Sequence, residues 1–132
     1  MRFSVAVIFL LSCFFFQACT GKRNNNSIDF SNPVKVVQVI FDAARNKDSS
    51  RLSLLCHSNG QYDGDVRDIC EMNPKHKKWG QFLRWFAKGE VVGKPIIRKN
   101  HAQVKFMFGP LGKDREKMSL VQYDGKWYLS GY

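Results

Sequence analysis

The sequence predicts an α+β domain in which N-terminal helices pack on an antiparallel sheet. Apolar residues recur at helical spacing between Val34 and Lys88, and from Glu90 onward they alternate with period two. Near the end, Asp124-Gly125 supplies a two-residue hairpin signal.

Residues 1–18 precede that domain. Arg2 is followed by an apolar run from Val5 to Phe16, broken only by Ser12 and Cys13. A charged start and a short apolar core are the marks of a secretory signal peptide. The run falls short of the roughly 20 apolar residues that cross a bilayer. Ala18 directly before Cys19 resembles the lipobox of bacterial lipoproteins, with Phe16 and Gln17 departing from its usual Leu and small residue. That resemblance implies cleavage after Ala18 and acylation of Cys19; ordinary cleavage nearby and an uncleaved anchor are the alternatives. Residues 19–31 then form the lipidated Cys and a polar, Asn-rich flexible tether, and residues 32–132 form the domain.

Asn32 as N-cap and Pro33 at the first helical position open a helix that runs to about Lys47. Val34, Val37, Ile40, Phe41 and Ala44 form its apolar face. A second, short helix is expected over Ser50 to His57, capped by Asp48 or Ser49, with Leu52, Leu55 and Cys56 inward. Ser58 to Gly64 reads as a loop, and Asp65 to Met72 as a helical turn carrying Cys70. Asn73-Pro74 repeats the cap-plus-proline start, so the third helix is expected from there to Lys88. Trp79, Phe82, Leu83 and Phe86 provide its amphipathic stripe, and Gly89 stops it.

Ala102, Val104, Phe106 and Phe108 alternate with Gln103, Lys105 and Met107, which defines a strand. Gly109-Pro110-Leu111-Gly112 turns the chain. The next strand ends at Tyr123, with regular pairing expected from about Lys117, because Asp114 and Glu116 would otherwise point toward the core face. Pairing Tyr123 with Lys126 across the Asp124-Gly125 turn places Gln122 opposite Trp127, Leu120 opposite Leu129 and Met118 opposite Gly131. The other face pairs Val121 with Tyr128 and Ser119 with Ser130.

Asn32-Pro33-Val34, Lys47-Asp48-Ser49 and Asp124-Gly125-Lys126-Trp127-Tyr128, in that order, resemble small envelope lipoproteins of the DUF4878 type in the NTF2-like, cystatin-like superfamily. The resemblance implies a cone, with N-terminal helices packed on a curved antiparallel sheet, and a location in the cell envelope. It implies no activity.

Removing residues 1–18 takes only Arg2 from the 21 Lys and Arg and nothing from the 11 Asp and Glu, so the mature chain stays strongly basic. Export makes nucleic acid an unsuitable partner and leaves anionic lipid, an acidic envelope polymer or plain solvation as uses for that charge. Cys56 and Cys70 are the thiols left after acylation of Cys19, and an oxidising compartment favours a disulfide between them; two separate buried thiols are the alternative. His57, Cys56, Cys70 and His76 lack the paired spacing of a zinc site, and no metal or cofactor is expected.

Asp63, Asp65, Asp68 and Asp124 fall in predicted loops or turns, Glu71 and His101 stand alone, and no catalytic motif is present. No catalytic residue is assigned. The expectation is a non-enzymatic envelope lipoprotein, held by Cys19 in the outer membrane facing the periplasm, since Thr20 rather than Asp follows the Cys. A small NTF2-like enzyme with a buried pocket and an anionic-lipid-binding protein are the alternatives. Trp85, at the edge of the third helix, and Lys75, Lys77 and Lys78, which begin it, are the candidate contact surface for an envelope protein or anionic lipid.

Overall fold

The computed structural model describes residues 27–132. The expected signal peptide, acylated Cys19 and most of the tether lie outside the described residues. Among the described residues no helix is long and apolar enough to cross a membrane.

Helix α1 spans Pro33–Asn46, with the Asn32 side chain accepting a hydrogen bond from the Val34 amide. Lys47 ends it in the left-handed region at φ 51°. More of its surface is buried than one stripe supplies: Val36, Val39 and Ala43 are covered along with Val37, Ile40, Phe41 and Ala44. The helix packs on the sheet and against α3 (Trp79–Phe86) at once. A 3₁₀ turn at Leu52–Leu55 replaces the expected second helix, and Asp48 accepts from the Ser50 amide just before it. Leu52 and Leu55 are fully buried.

Helix α2 covers Gly64–Cys70, capped by Asp63. The disulfide joins Cys56 to Cys70, with Cα atoms 6.2 Å apart. It ties the segment after the 3₁₀ turn to the end of α2.

The third helix starts later than Asn73-Pro74 predicts. Asn73 accepts from the Lys75 amide through its side chain and from the His76 amide through its carbonyl, so it closes a turn. Residues 75–78 remain outside α3, and these lysines do not occupy a helical first turn. Gly89 follows α3 for a reason other than left-handed backbone: it is buried, and a Cβ there would stand 2.0 Å from a ring carbon of Phe41. Arg45 of α1 donates to the carbonyls of Ala87 and Gly89, just past the end of α3, and so ties α1 to the segment that leads into the sheet.

Strands β1 (Glu90–Val91), β2 (Ile96–Arg98), β3 (His101–Phe108), β4 (Asp114–Tyr123) and β5 (Lys126–Gly131) form one antiparallel sheet. Its order is β1-β3-β4-β5, with β2 also on β3. The cone is therefore not formed. The sheet is open, and no ladder joins β5 to the β1/β2 edge. That edge consists of strands of two and three residues on opposite ends of β3, which lack the length to wrap a sheet around the helices.

The hairpin register holds from Tyr123–Lys126 to Leu120–Leu129, with Asp124 and Gly125 both at positive φ. A bulge then pairs Gly131 with Ser119 in place of Met118. Strand β4 begins at Asp114, earlier than expected, pairing with Phe108. Ile28 and Phe30, placed in the tether by the sequence, pack against the core, and the Phe30 carbonyl accepts from the Trp127 amide at 2.8 Å.

Candidate functional site

A groove of about 230 Å³ opens between α2, α3 and the end of the sheet. Ile69 and Met72 line one wall, and Phe82, Trp85 and Phe86 the other. Phe108 and Tyr132 close its base, their rings 5.8 Å apart and edge to face. Phe86 lies 5.5 Å from Phe108 and 6.1 Å from Tyr132, and Trp85 lies 5.4 Å from Phe108. These contacts make a continuous aromatic floor.

Backbone geometry sets its walls. Gly109, at φ 90°, donates its amide to the Trp85 carbonyl at 2.8 Å, which pins α3 to the β3–β4 turn. Asp63 joins the opposite wall to the sheet: one carboxylate oxygen accepts from the Val66 amide at 2.8 Å, and the other from the Tyr132 amide at 2.9 Å. One side chain thus caps α2 and fixes Tyr132 at the groove.

The ionisable groups stand at the rim. Asp68 and Lys78 form an ion pair there, and the hydrogen bond from Lys78 holds the Asp68 carboxyl below its ordinary pKa, while Asp68 raises that of Lys78. Tyr132 has its hydroxyl pKa raised, first by burial and then by the negative charges of Glu116, Asp65 and Asp114. Asp65 and Asp68 come from α2, and Asp114 and Glu116 from the opening stretch of β4. A chain of net charge +10 therefore carries an acidic mouth on its apolar groove.

Of the candidate contact residues, Trp85 and Lys78 line this groove, while Lys75 and Lys77 are exposed on the turn beside it and do not. Cys56 and Cys70 are joined to each other. His57 stacks on Tyr123 at 4.4 Å and meets Tyr128 edge-on at 4.9 Å. His76 accepts from the Lys78 amide. Among the described residues no three His, Cys, Asp or Glu side chains gather as metal ligands would. Glu71, His101 and Asp124 are exposed and lie apart from the groove lining.

Sequence reasoning missed Asp63, Ile69, Met72, Phe108 and Tyr132 as parts of one site. The Asp63 signal was present, since an Asp three residues before Val66 is a usual N-cap arrangement. Nothing local announces the convergence of the others.

The fold and groove define a small disulfide-bonded α+β domain with an open antiparallel sheet. No family model matches the chain, and neither curated proteins nor solved structures provide a significant match.

Proposed function

We propose that the protein is a non-enzymatic lipoprotein of the cell envelope, held in the outer membrane on its periplasmic side through acylated Cys19, whose domain grips an envelope protein by its apolar groove. The observation that carries this reading is the groove: an aromatic floor with its charges outside, at the rim. Its volume of about 230 Å³ is below the ~300 Å³ at which pockets begin to enclose drug-sized ligands, and suits a side chain or two of a partner. The acidic mouth favours an apolar anchor flanked by Lys or Arg.

A photo-crosslinking residue placed in intact envelopes at Gln81, which lines the groove, tests the reading against the same residue at exposed Lys35 of α1. A discrete adduct at position 81 that is absent at 35 and lost in the Asp65→Lys/Asp68→Lys variant is expected. The same adducts at both positions refute the groove. Labelled palmitate should enter the wild type and not Cys19→Ala; equal labelling of the two refutes the anchor.

A further inference from the structure

Among the described residues the second face of the sheet is open over β3 and the first half of β4, while His57 and Phe30 lie over Tyr123 and Tyr128 at its β5 end. Alternation assigns its residues: Ala102, Val104 and Phe106 of β3 and Met118 and Leu120 of β4 are buried, so Gln103, Lys105, Met107, Arg115, Lys117, Ser119 and Val121 point the other way. The register sets Lys105 directly opposite Lys117 and Met107 opposite Arg115. On the flanks, Arg98 pairs with His101 and Lys126 with Tyr123 on the same side. Glu90, opposite Met107, is the acid that the register assigns to this face.

Like charges placed directly across a ladder repel. Among the described residues, none of Arg98, Lys105, Arg115, Lys117 and Lys126 has an ion-pair partner: the salt bridges there are Arg45–Asp42 and Lys78–Asp68. Met107, Val121 and exposed Ile96 are interleaved with the cations. A second, independent observation gives the face a direction. The Phe30 ring lies tilted with its centre 5.2 Å from that of Tyr128, whose register position is on this face. The chain leading back to Cys19 therefore joins the domain at the β5 edge of the cationic surface. Eight positions separate Cys19 from Ser27, a span of at most about 29 Å.

We propose that this sheet face, centred on Lys105, Arg115 and Lys117, docks on an anionic phospholipid bilayer. The orientation rests on the Cys19 anchor proposed above, whereas the charge of the face does not. It replaces the Lys75, Lys77 and Lys78 cluster as the lipid-facing element, because Lys78 is engaged by Asp68 and the cluster adjoins the acidic mouth of the groove.

The test uses the full chain, purified in detergent and incorporated into vesicles of neutral lipid or of neutral lipid mixed with phosphatidylglycerol. A fluorophore is placed at Gln103, or in a separate sample at Lys77, and quenched by headgroup-labelled lipid. Strong quenching at 103 in anionic vesicles alone is expected, reversed near 1 M salt, where screening shortens the Debye length from about 10 to about 3 Å. Each surface cation contributes about five-fold to attraction, so Lys105→Gln/Arg115→Gln/Lys117→Gln should lower the docked-to-free ratio about 100-fold.

Equal quenching in the two vesicle types, quenching at 77 instead of 103, or no effect of salt on the wild type overturns the proposal. The mass of the purified chain reports acylation separately. A chain without the acyl group that is still quenched overturns the anchor and keeps the face, whereas an acylated chain that is not quenched overturns the face.

Discussion

Replacing Gly89 by Ala should be among the most damaging single-methyl changes available to this domain. The new Cβ would stand 2.0 Å from Cδ1 and 2.4 Å from Cε1 of Phe41, where carbon atoms normally rest about 3.5–4.0 Å apart. Something must move by roughly 1.5 Å. Phe41 cannot yield easily, because it is 0% exposed and is flanked by Phe106 at 5.5 Å and Phe86 at 6.3 Å. Retreat of the backbone would instead disturb the Gly89 carbonyl, which accepts from Arg45, and its amide, which donates to Phe86 at 2.9 Å. Overpacking costs about 1–3 kcal/mol, and loss of a hydrogen bond to a charged donor about 1.5–3 kcal/mol. The lower entropy of the unfolded Ala chain offsets about 0.4–1 kcal/mol. A net loss near 3 kcal/mol is expected, read by urea unfolding as a lower midpoint at unchanged slope. Gly80 is the control: it is exposed in α3 with nothing within 4 Å of a built Cβ, so Gly80→Ala should stabilise by about 0.5–1 kcal/mol. Phe41→Leu should cost less in the Gly89→Ala background than alone, with a coupling of about 1 kcal/mol or more. Gly89→Ala within about 0.5 kcal/mol of wild type, or additivity with Phe41→Leu, would refute the reasoning.

The Cys56→Ala/Cys70→Ala double variant should lose about 3 kcal/mol, the chain-entropy value for a loop of this size, and its thermal midpoint should match that of the reduced wild type; a midpoint equal to that of the oxidised wild type would show that the bridge adds nothing. Tyr132 should make stability fall at alkaline pH. Its folded pKa lies above the unfolded value of about 10, so its contribution is complete below that value and is lost as pH rises and the unfolded phenol ionises first. Denaturant titrations from pH 8 to 11.5 should show a shallower decline for Tyr132→Phe, and identical declines would contradict the burial assigned to the hydroxyl.

Elements whose signals are local were legible in the sequence. Asn32-Pro33 opens α1, period-two alternation marks β3, and Asp124-Gly125 sets the hairpin register. The expectation of an exported chain made Cys56 and Cys70 the natural pair, and the fold joins them. Asn73-Pro74 misled because a capping Asn followed by Pro serves an isolated turn as well as a helix, and the polar stretch from Lys75 to Lys78 offers no inward side chain to extend one. Open or curled sheet was not legible either, since it depends on how long the edge strands grow. The groove escaped for a related reason. Trp85 was singled out, but its partners on α2, β3 and after β5 meet it only through tertiary hydrogen bonds, those of Asp63 to Tyr132 and Gly109 to Trp85.

Asp114 and Glu116 show how the site and the sheet are linked. The sequence expected carboxylates pointing toward the core face to delay β4, since burying them without partners is costly. They are tolerated because β5 reaches only as far as Ser119, where the bulge ends the pairing, and beyond it the helix-facing side of β4 opens to solvent beside Tyr132. The alternation Asp114-Arg115-Glu116-Lys117 then sorts charge by strand geometry: the acids fall on the side of Tyr132, whose hydroxyl pKa they raise, and Arg115 and Lys117 on the other face of the sheet. A domain set with that face on anionic lipid would hold its acids and its groove away from the bilayer, toward a partner. Slipping β4 by one residue against β3 would exchange the two sets, placing cations at the groove and acids against the lipid, so the same register that packs Met118 and Leu120 also makes the charge separation.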